Sequence, residues 1–510
     1  MARVVVIGAG IGGLASAARL AKYGHEVSIY EASNQVGGKC RTEWIGDYAF
    51  DTGPSLLTLP AVFRDLFIRT GKRFETEVGL KGVDPAFAYH FADGVSFDFP
   101  NLSLPEVCNS IEKALGKEAA DDWHALMQKA EHMWDASRGP FIESELPSIA
   151  SLLKRKGFLK DLRTIAPWKS LRGFTADATS NPYLQKIVDR YATYSGSDPR
   201  KAPAVLLTIA FVESTFGAWH LTGGLGTLAT ALEKRCVDLS VKIHLNSPVS
   251  QILVENETAI GVTLESGEVI HAEKVVANAD ADLVYNSLIP SSVKSVRGER
   301  KKLSKADRSL AGFSLLLGLD NSRVSGDLPR MRHHNVFFPS DYDQEFESIF
   351  AKNEVVEDPT IYICAPDDST MVKGENKEAW FVLVNAPRHD PKNGVDWNAN
   401  PREYAEKIIA KLDSFGLRVS ERLDVMEFRT PADLEATVRA PGGSIYGTSS
   451  NGPRAAFMRA SNRSPLKNLY CVGGSAHPGG GLPLVGMSAE LVAEAIGRAD
   501  GSTSIDRNHH

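Results

Sequence analysis

Cysteine is scarce in this sequence. Five occur in 510 residues, Cys40, Cys108, Cys236, Cys364 and Cys471, far apart and with no C-x-x-C pair. That spacing argues against disulfide staples and against a zinc site, and it predicts reduced thiols in a cytosolic protein. Long apolar runs are missing too. The best candidate, residues 202–212 (APAVLLTIAFV), contains Pro203 and Thr208 and falls short of the roughly 20 residues of a membrane-spanning helix. No short-period repeat is present, and an apolar share of 43% with 24% charged residues excludes disordered and collagen-like chains. The opening MARVVVIGAG leaves no room for a secretory signal peptide, which predicts a cytoplasmic location. The length allows roughly two to four domains.

Nor is there an excess of positive charge to attract nucleic acid, because 57 Lys and Arg face 63 Asp and Glu, a net charge of −6. The distribution is less even. Residues 152–174 hold seven Lys/Arg against one Asp, and residues 294–308 hold seven against two acids. In the first island Phe158, Leu162, Ile165, Trp168, Leu171 and Phe174 interleave with the cations, a composition suited to an anionic membrane surface. The second has few large apolar residues and reads as a solvated basic face.

What the chain does have is glycine-punctuated βα patterning in three separated segments, residues 1–75, 218–290 and 440–498. Between them, residues 76–217 read as largely helical: Trp123, Leu126, Met127, Ala130 and Trp134 recur on one helix face. Residues 291–439 read as mixed, with strands at 313–319, 360–364 and 380–384. The middle βα segment has Gly223-Gly224 before a helix ending near Arg235, strands at 241–245 and 249–254, and a hairpin of 260–264 with 269–271. The tail, residues 499–510, is polar and expected to be flexible. The fold class is therefore α/β: one Rossmann-like dinucleotide domain assembled from three segments, with a helical insertion and a mixed α/β substrate-binding region containing antiparallel sheet.

The most specific motif is at the start. Val4 to Ile7 forms a β-branched strand, followed by Gly8-Ala9-Gly10-Ile11-Gly12-Gly13 and a helix with Leu14, Ala17, Ala18 and Ala21 on its apolar side. In this G-x-G-x-x-G arrangement the glycines permit a tight turn, close backbone approach to a pyrophosphate and close helix packing. The helix N-terminus offers free N–H groups to phosphates. Gly24 closes the helix, and a second strand, residues 27–30, ends in Glu31, a carboxylate placed to accept ribose hydroxyls and to repel the 2′-phosphate of NADP. Next comes Val36-Gly37-Gly38-Lys39-Cys40-Arg41, a second glycine pair whose Arg41 fork can pair with the pyrophosphate; that extra clamp selects FAD over NAD. Near the other end, a strand at 469–473 leads through Gly474-Ser475-Ala476-His477-Pro478-Gly479-Gly480-Gly481-Leu482-Pro483 into a helix reaching Ile496. A helix N-terminus there would stabilise negative charge on a flavin.

These blocks, together with YAFDTGPSLLTLP at 48–60, RYATYSGSDPRKAPA at 190–204, HHNVFFPSDYDQEF at 333–346, DPTIYICAP at 358–366 and GGSIYGTSSNG at 442–452, run over nearly the whole chain. The sequence resembles the bacterial-type phytoene desaturase family of carotenoid desaturases and their oxygenase relatives. The resemblance implies non-covalent FAD, a long apolar tunnel for a polyene and stepwise dehydrogenation of carbon–carbon single bonds. It places Gly8, Ala9, Gly10, Gly12 and Gly13 at the pyrophosphate, Glu31 at the ribose, Gly38, Lys39 and Arg41 at the second clamp, Val249 at the adenine, and Gly474, Ser475 and Val485 at the ribitol and flavin.

Such a dehydrogenation sends a hydride to flavin N5 and leaves a delocalised cation, so a weak base suffices for the proton. Two candidates stand near the glycine clamps. His477 is one, with a loop-ordering hydrogen bond as its competing role; Asp51 is the other, with a turn-forming role before Gly53-Pro54. His333-His334 suggests metal chemistry at first sight, but adjacent strand residues point to opposite faces and cannot share an ion without a bend, so no metal is expected.

The leading expectation is a peripheral-membrane FAD desaturase of phytoene or a related polyene, docked through residues 152–174 and reoxidised by a quinone or oxygen, since one dinucleotide site is visible. Oxidation of a terminal carotenoid group and 3,4-desaturation share the same motifs. A flavin amine oxidase shares the N-terminal site, but residues 473–487 contain none of the aromatics that usually sandwich an amine. A lipid chaperone of the same fold would not need intact glycine motifs.

Overall fold

The computed structural model describes residues 1–146, 152, 154, 155 and 157–502. Part of the first basic island, including Lys156, and most of the tail lie outside the described residues.

Two sheets organise the molecule. The first is five-stranded and wholly parallel, in the order Leu469–Cys471, Lys274–Ala277, Arg3–Ile7, Glu26–Tyr30, Lys242–His244. Its strands come from three distant stretches of sequence. Helices Ile11–Lys22, Gly226–Asp238 and Leu482–Ile496 cover one face, with Leu14, Ala17 and Ala18 packed among Leu228, Leu232, Ala489 and Val492. Alanines on the first helix keep it thin, so the other two approach closely. The opposite face carries a three-stranded antiparallel sheet, Val249–Glu255, Thr258–Leu264 and Val269–His271. This is an α/β dinucleotide-binding fold.

The second sheet has seven strands in the order Leu423–Arg429, Ala311–Asp320, Lys377–Ala386, Ile361–Cys364, His334–Phe337, Phe87–His90, Ser96–Phe99. All neighbours are antiparallel except His334–Phe337 and Phe87–His90. The last two strands correct the expectation that 76–217 is helical from its start. Residues 80–99 hold three strands, because Phe87, Tyr89, Phe97 and Phe99 alternate toward a core and pack on one another's rings. Helices begin at Leu104–Leu115, where the Ser103 side chain caps the first turn by accepting from the Glu106 N–H. The long helix Lys117–Phe141 then buries Trp123, Leu126, Met127, Ala130 and Trp134. Asn181 caps Pro182–Thr193 in the same way. One apolar core joins these helices to Phe87, Tyr89, Phe99, Val336 and Phe338, so the two insertions share a single interior.

The second basic island is not simply solvated. Arg300, in helix Arg297–Leu303, donates to the carbonyls of Tyr285, Ile289 and Pro290, Lys302 donates to that of Arg459, and Arg308 pairs with Asp280 and Asp282. These cations tie a turn of chain to the parallel sheet.

Candidate functional site

The opening strand delivers its chain to a point where backbone from four segments converges. Gly8 turns with φ +91°, donating its N–H to Tyr30 O at 2.8 Å. A Cβ on Gly13 would overlap the Gly8 carbonyl oxygen, so only glycine lets helix Ile11–Lys22 start this close to the strand. Gly37 joins from the second clamp, its N–H bonded to Ala9 O at 2.9 Å, and Gly10 and Gly38 face each other. Gly473 closes the set: a Cβ on Gly12 would lie 3.2 Å from Gly473 Cα and from Val485 Cγ1. The helix N-terminus carries no acidic residue in its first turn. A cradle of bare backbone with unneutralised N–H groups fits a dinucleotide pyrophosphate.

Glu31 sits at its rim. One carboxylate oxygen accepts from Ala9 N at 2.6 Å, the other from Ser33 N and Oγ at 2.9 and 2.8 Å. Ser247 N and Asn246 N bond Glu31 O and Ser33 O, which brings Val249, the buried first residue of its strand, beside the same turn. Arg41 directs its guanidinium to Val36 O, Gln35 O and Ser33 Oγ, so it braces this loop in the structure. Lys39 is buried and donates to Ile445 O at 2.6 Å; burial lowers its pKa, opposed by Asp280. Ser475 Oγ accepts from Ala281 N at 2.9 Å, and Gly474 O accepts from Arg459.

Asn278 was not apparent in the sequence. It ends the strand Lys274–Ala277, donates from Nδ2 to Gly8 O at 3.3 Å, and its Oδ1 lies within 2.7 Å of where a Cβ on Gly12 or Gly473 would be. One side chain thus touches both ends of the cradle. Its signal is weak: a strand of β-branched residues followed by Asn-Ala-Asp.

The two base candidates differ. His477 is buried, its Nε2 donating to Ser144 O at 2.9 Å, its N–H bonded to Ala460 O and its carbonyl to Asn462; burial lowers its pKa. That geometry matches a loop-ordering role. Asp51 ends the strand Tyr48–Asp51 and accepts from Thr42 Oγ1 at 2.6 Å and Leu225 N at 2.8 Å, both on Oδ1. It therefore anchors the start of helix Gly226–Asp238 and does not form the local turn expected of it. Its Oδ2 is buried without a hydrogen-bond partner among the described residues, beside a small cavity walled by Phe50, Cys364, Met371 and Phe381. Burial raises its pKa, against the two donors.

Close by is a polar nest that sequence reasoning did not assemble. His220 Nε2 donates to Asp368 Oδ2 at 2.8 Å, the His333 ring stands 4.8 Å from that of His220, and His334 Nδ1 lies 2.8 Å from the Tyr362 hydroxyl, which in turn meets Ser55 Oγ at 2.8 Å. Behind it Arg190 lies over the Phe87 and Tyr194 rings, and Tyr191 and Tyr194 donate to Glu213. His333 and His334 are not consecutive residues of one strand, as their expected opposite orientation requires. The strand begins only at His334; His333 sits in a bend, and the ligand atoms of both histidines and Cys364 gather within 4.8 Å.

The chain matches the flavin containing amine oxidoreductase family model over residues 11–306. It is 34% identical to a hydroxyneurosporene desaturase of Rubrivivax gelatinosus, covering 99% of this chain and 95% of that protein. It belongs to the carotenoid desaturase and oxygenase group of this flavoprotein family. A 4,4'-diapolycopene oxygenase of Methylomonas sp is 31% identical over 97% of this chain and 98% of its own. An oxidoreductase from Methanosarcina mazei shares the fold with a TM-score of 0.65 at 17% identity, over 96% of this chain and 100% of that one. Membership of this flavoprotein family implies a flavin cofactor. One family contrast needs amending: Tyr446 packs directly on Gly480, so the cap loop does meet an aromatic ring, supplied from outside residues 473–487.

Proposed function

We propose that this chain is an FAD-dependent desaturase that introduces carbon–carbon double bonds into phytoene or a related polyene. Near-full-length likeness to a hydroxyneurosporene desaturase carries the reading. The backbone of Gly8, Ala9, Gly10, Gly12, Gly13 and Gly38 would cradle the pyrophosphate, Glu31 the ribose, Val249 the adenine, and Gly474, Ser475 and Val485 the flavin end, with Lys39 and Arg41 bracing the clamp. FAD, when bound, supplies the acceptor for the hydride leaving the substrate carbon. Asp51 takes the proton through its unpartnered Oδ2 while Thr42 and Leu225 hold Oδ1 in place. His477 orders the cap loop.

The electron acceptor of this reading is a quinone or oxygen, and the site of action is the cytoplasmic face of a membrane. No helix among the described residues is long and apolar enough to cross a bilayer. The surface proposed to dock is helix Phe158–Ile165 and its surroundings, where Leu159 is 72% and Trp168 62% exposed next to exposed Lys154, Arg155, Lys160 and Arg163. Arg172 and Lys169 are paired with Asp189, Asp343 and Asp177 and take no part.

A second reading, oxygenation of a terminal carotenoid group, is favoured by the likeness to the diapolycopene oxygenase. Incubation of the FAD-loaded protein in liposomes with phytoene, diapophytoene, lycopene and hydroxylated carotenoids separates the two. Loss of hydrogen pairs from the product mass supports desaturation, gain of oxygen supports the second reading, and no product from any polyene overturns both.

A further inference from the structure

Three imidazole nitrogens in the polar nest lack partners among the described residues, His220 Nδ1 and one on each of two adjacent histidines. His333 Nε2 and His334 Nε2 are both buried, and neither has a hydrogen-bond partner among the described residues. A buried unpaired polar atom is destabilising, so two in adjacent residues call for a ligand. The bend at His333, held by Ala365 N donating to His333 O at 2.8 Å, swings its ring to 4.5 Å from that of His334 with the planes 68° apart. Strand pairing sets Cys364 opposite His334, and its thiol joins them.

We propose that His333, His334 and Cys364 bind a divalent cation of the zinc class. The donor set, two imidazoles and a thiolate, is soft to borderline, which favours Zn²⁺ over Mg²⁺ or Ca²⁺. Three protein ligands leave a fourth position for an exogenous ligand. Bonds of about 2.0–2.3 Å would require the ligand atoms, now within 4.8 Å of one another, to close by roughly 1 Å. The outer sphere is already built: Tyr362 engages His334 Nδ1, leaving Nε2 for the metal, and Ser55 fixes the Tyr362 hydroxyl. As the metal–sulfur bond forms, the Cys364 thiol gives up its proton to solvent. The site goes beyond the desaturase reading and does not depend on it.

The test uses the flavin-loaded protein, stripped of metal by chelator dialysis and titrated with Co²⁺, with Zn²⁺ as competitor. The expected result is one Co²⁺ per chain, ligand-field absorption to the red of the flavin bands, displacement by Zn²⁺, and X-ray absorption showing one sulfur and two imidazole nitrogens. His333→Gln and Cys364→Ser should each weaken Co²⁺ binding more than about 100-fold, and Tyr362→Phe by about 10–100-fold, at unchanged flavin content. If a variant fails to fold, the wild-type absorption spectrum still decides the ligand set. Failure to bind Co²⁺ stoichiometrically, a spectrum without sulfur, or undiminished binding by the folded variants would overturn the proposal.

Discussion

The two sheets build their sites by opposite means. At the parallel sheet the groups of the proposed cofactor cradle are mostly backbone, and the absence of side chains lets Gly12, Gly13 and Gly473 approach their neighbours. At the seven-stranded sheet the groups are side chains, Asp51, His220, His333, His334, Tyr362 and Cys364, crowded into a buried nest. A backbone site is broken by adding atoms. A side-chain site is broken by removing them.

Substitutions should divide accordingly. The largest effect is expected for Gly10→Trp, because a Cβ at Gly10 already meets Asn278 Nδ2 at 2.9 Å; the purified protein should carry only background flavin absorbance, and normal FAD stoichiometry would show that the cradle lies elsewhere. Asp51→Asn keeps an oxygen for Thr42 and Leu225, so flavin content should hold while turnover falls about 10²–10⁴-fold in the liposome assay. Unchanged turnover would remove Asp51 from the chemistry. Trp380→Ala empties the core of the second sheet and should lower stability by about 3–5 kcal/mol in denaturant titrations, with the flavin spectrum intact before unfolding. Flavin loss ahead of unfolding would mean that the two sheets are not separable. Asn278→Ala adds no bulk to the backbone site but removes its one spanning side chain. FAD affinity should drop about tenfold, equivalent to roughly 1.4 kcal/mol, read by equilibrium dialysis. The smallest effect is expected at Lys154→Gln: about fivefold weaker partitioning onto anionic liposomes, from roughly 1 kcal/mol per surface cation, and vanishing in high salt.

The same contrast explains what was legible in the sequence. Whereas Lys274–Ala277 goes unread because no glycine turn marks it, the other four of the five parallel strands, the glycine turns and Glu31 announce themselves as local patterns. The helix face from Trp123 to Trp134 is legible for the same reason. Asn278 is not, because its importance comes from two loops that meet it from positions 8–13 and 473. The strands Phe87–His90 and Ser96–Phe99 were hidden within a segment dominated by helix periodicity, and their sheet partner lies at 334–337. The bend at His333 decides whether two histidines face one point, and one residue of strand boundary lies below the resolution of any pattern argument.

The edge strand Leu469–Cys471 also has a temporal meaning. It pairs with Lys274–Ala277, and its following glycine completes the cradle that begins at Gly8, more than 460 residues earlier. A ribosome adding roughly 5–20 residues per second exposes the first half of the cradle long before the second exists. The contacts that close a loop of that span are among those of highest contact order in the fold. With the cofactor in the proposed cradle, its capture would have to wait until nearly the whole chain has left the ribosome.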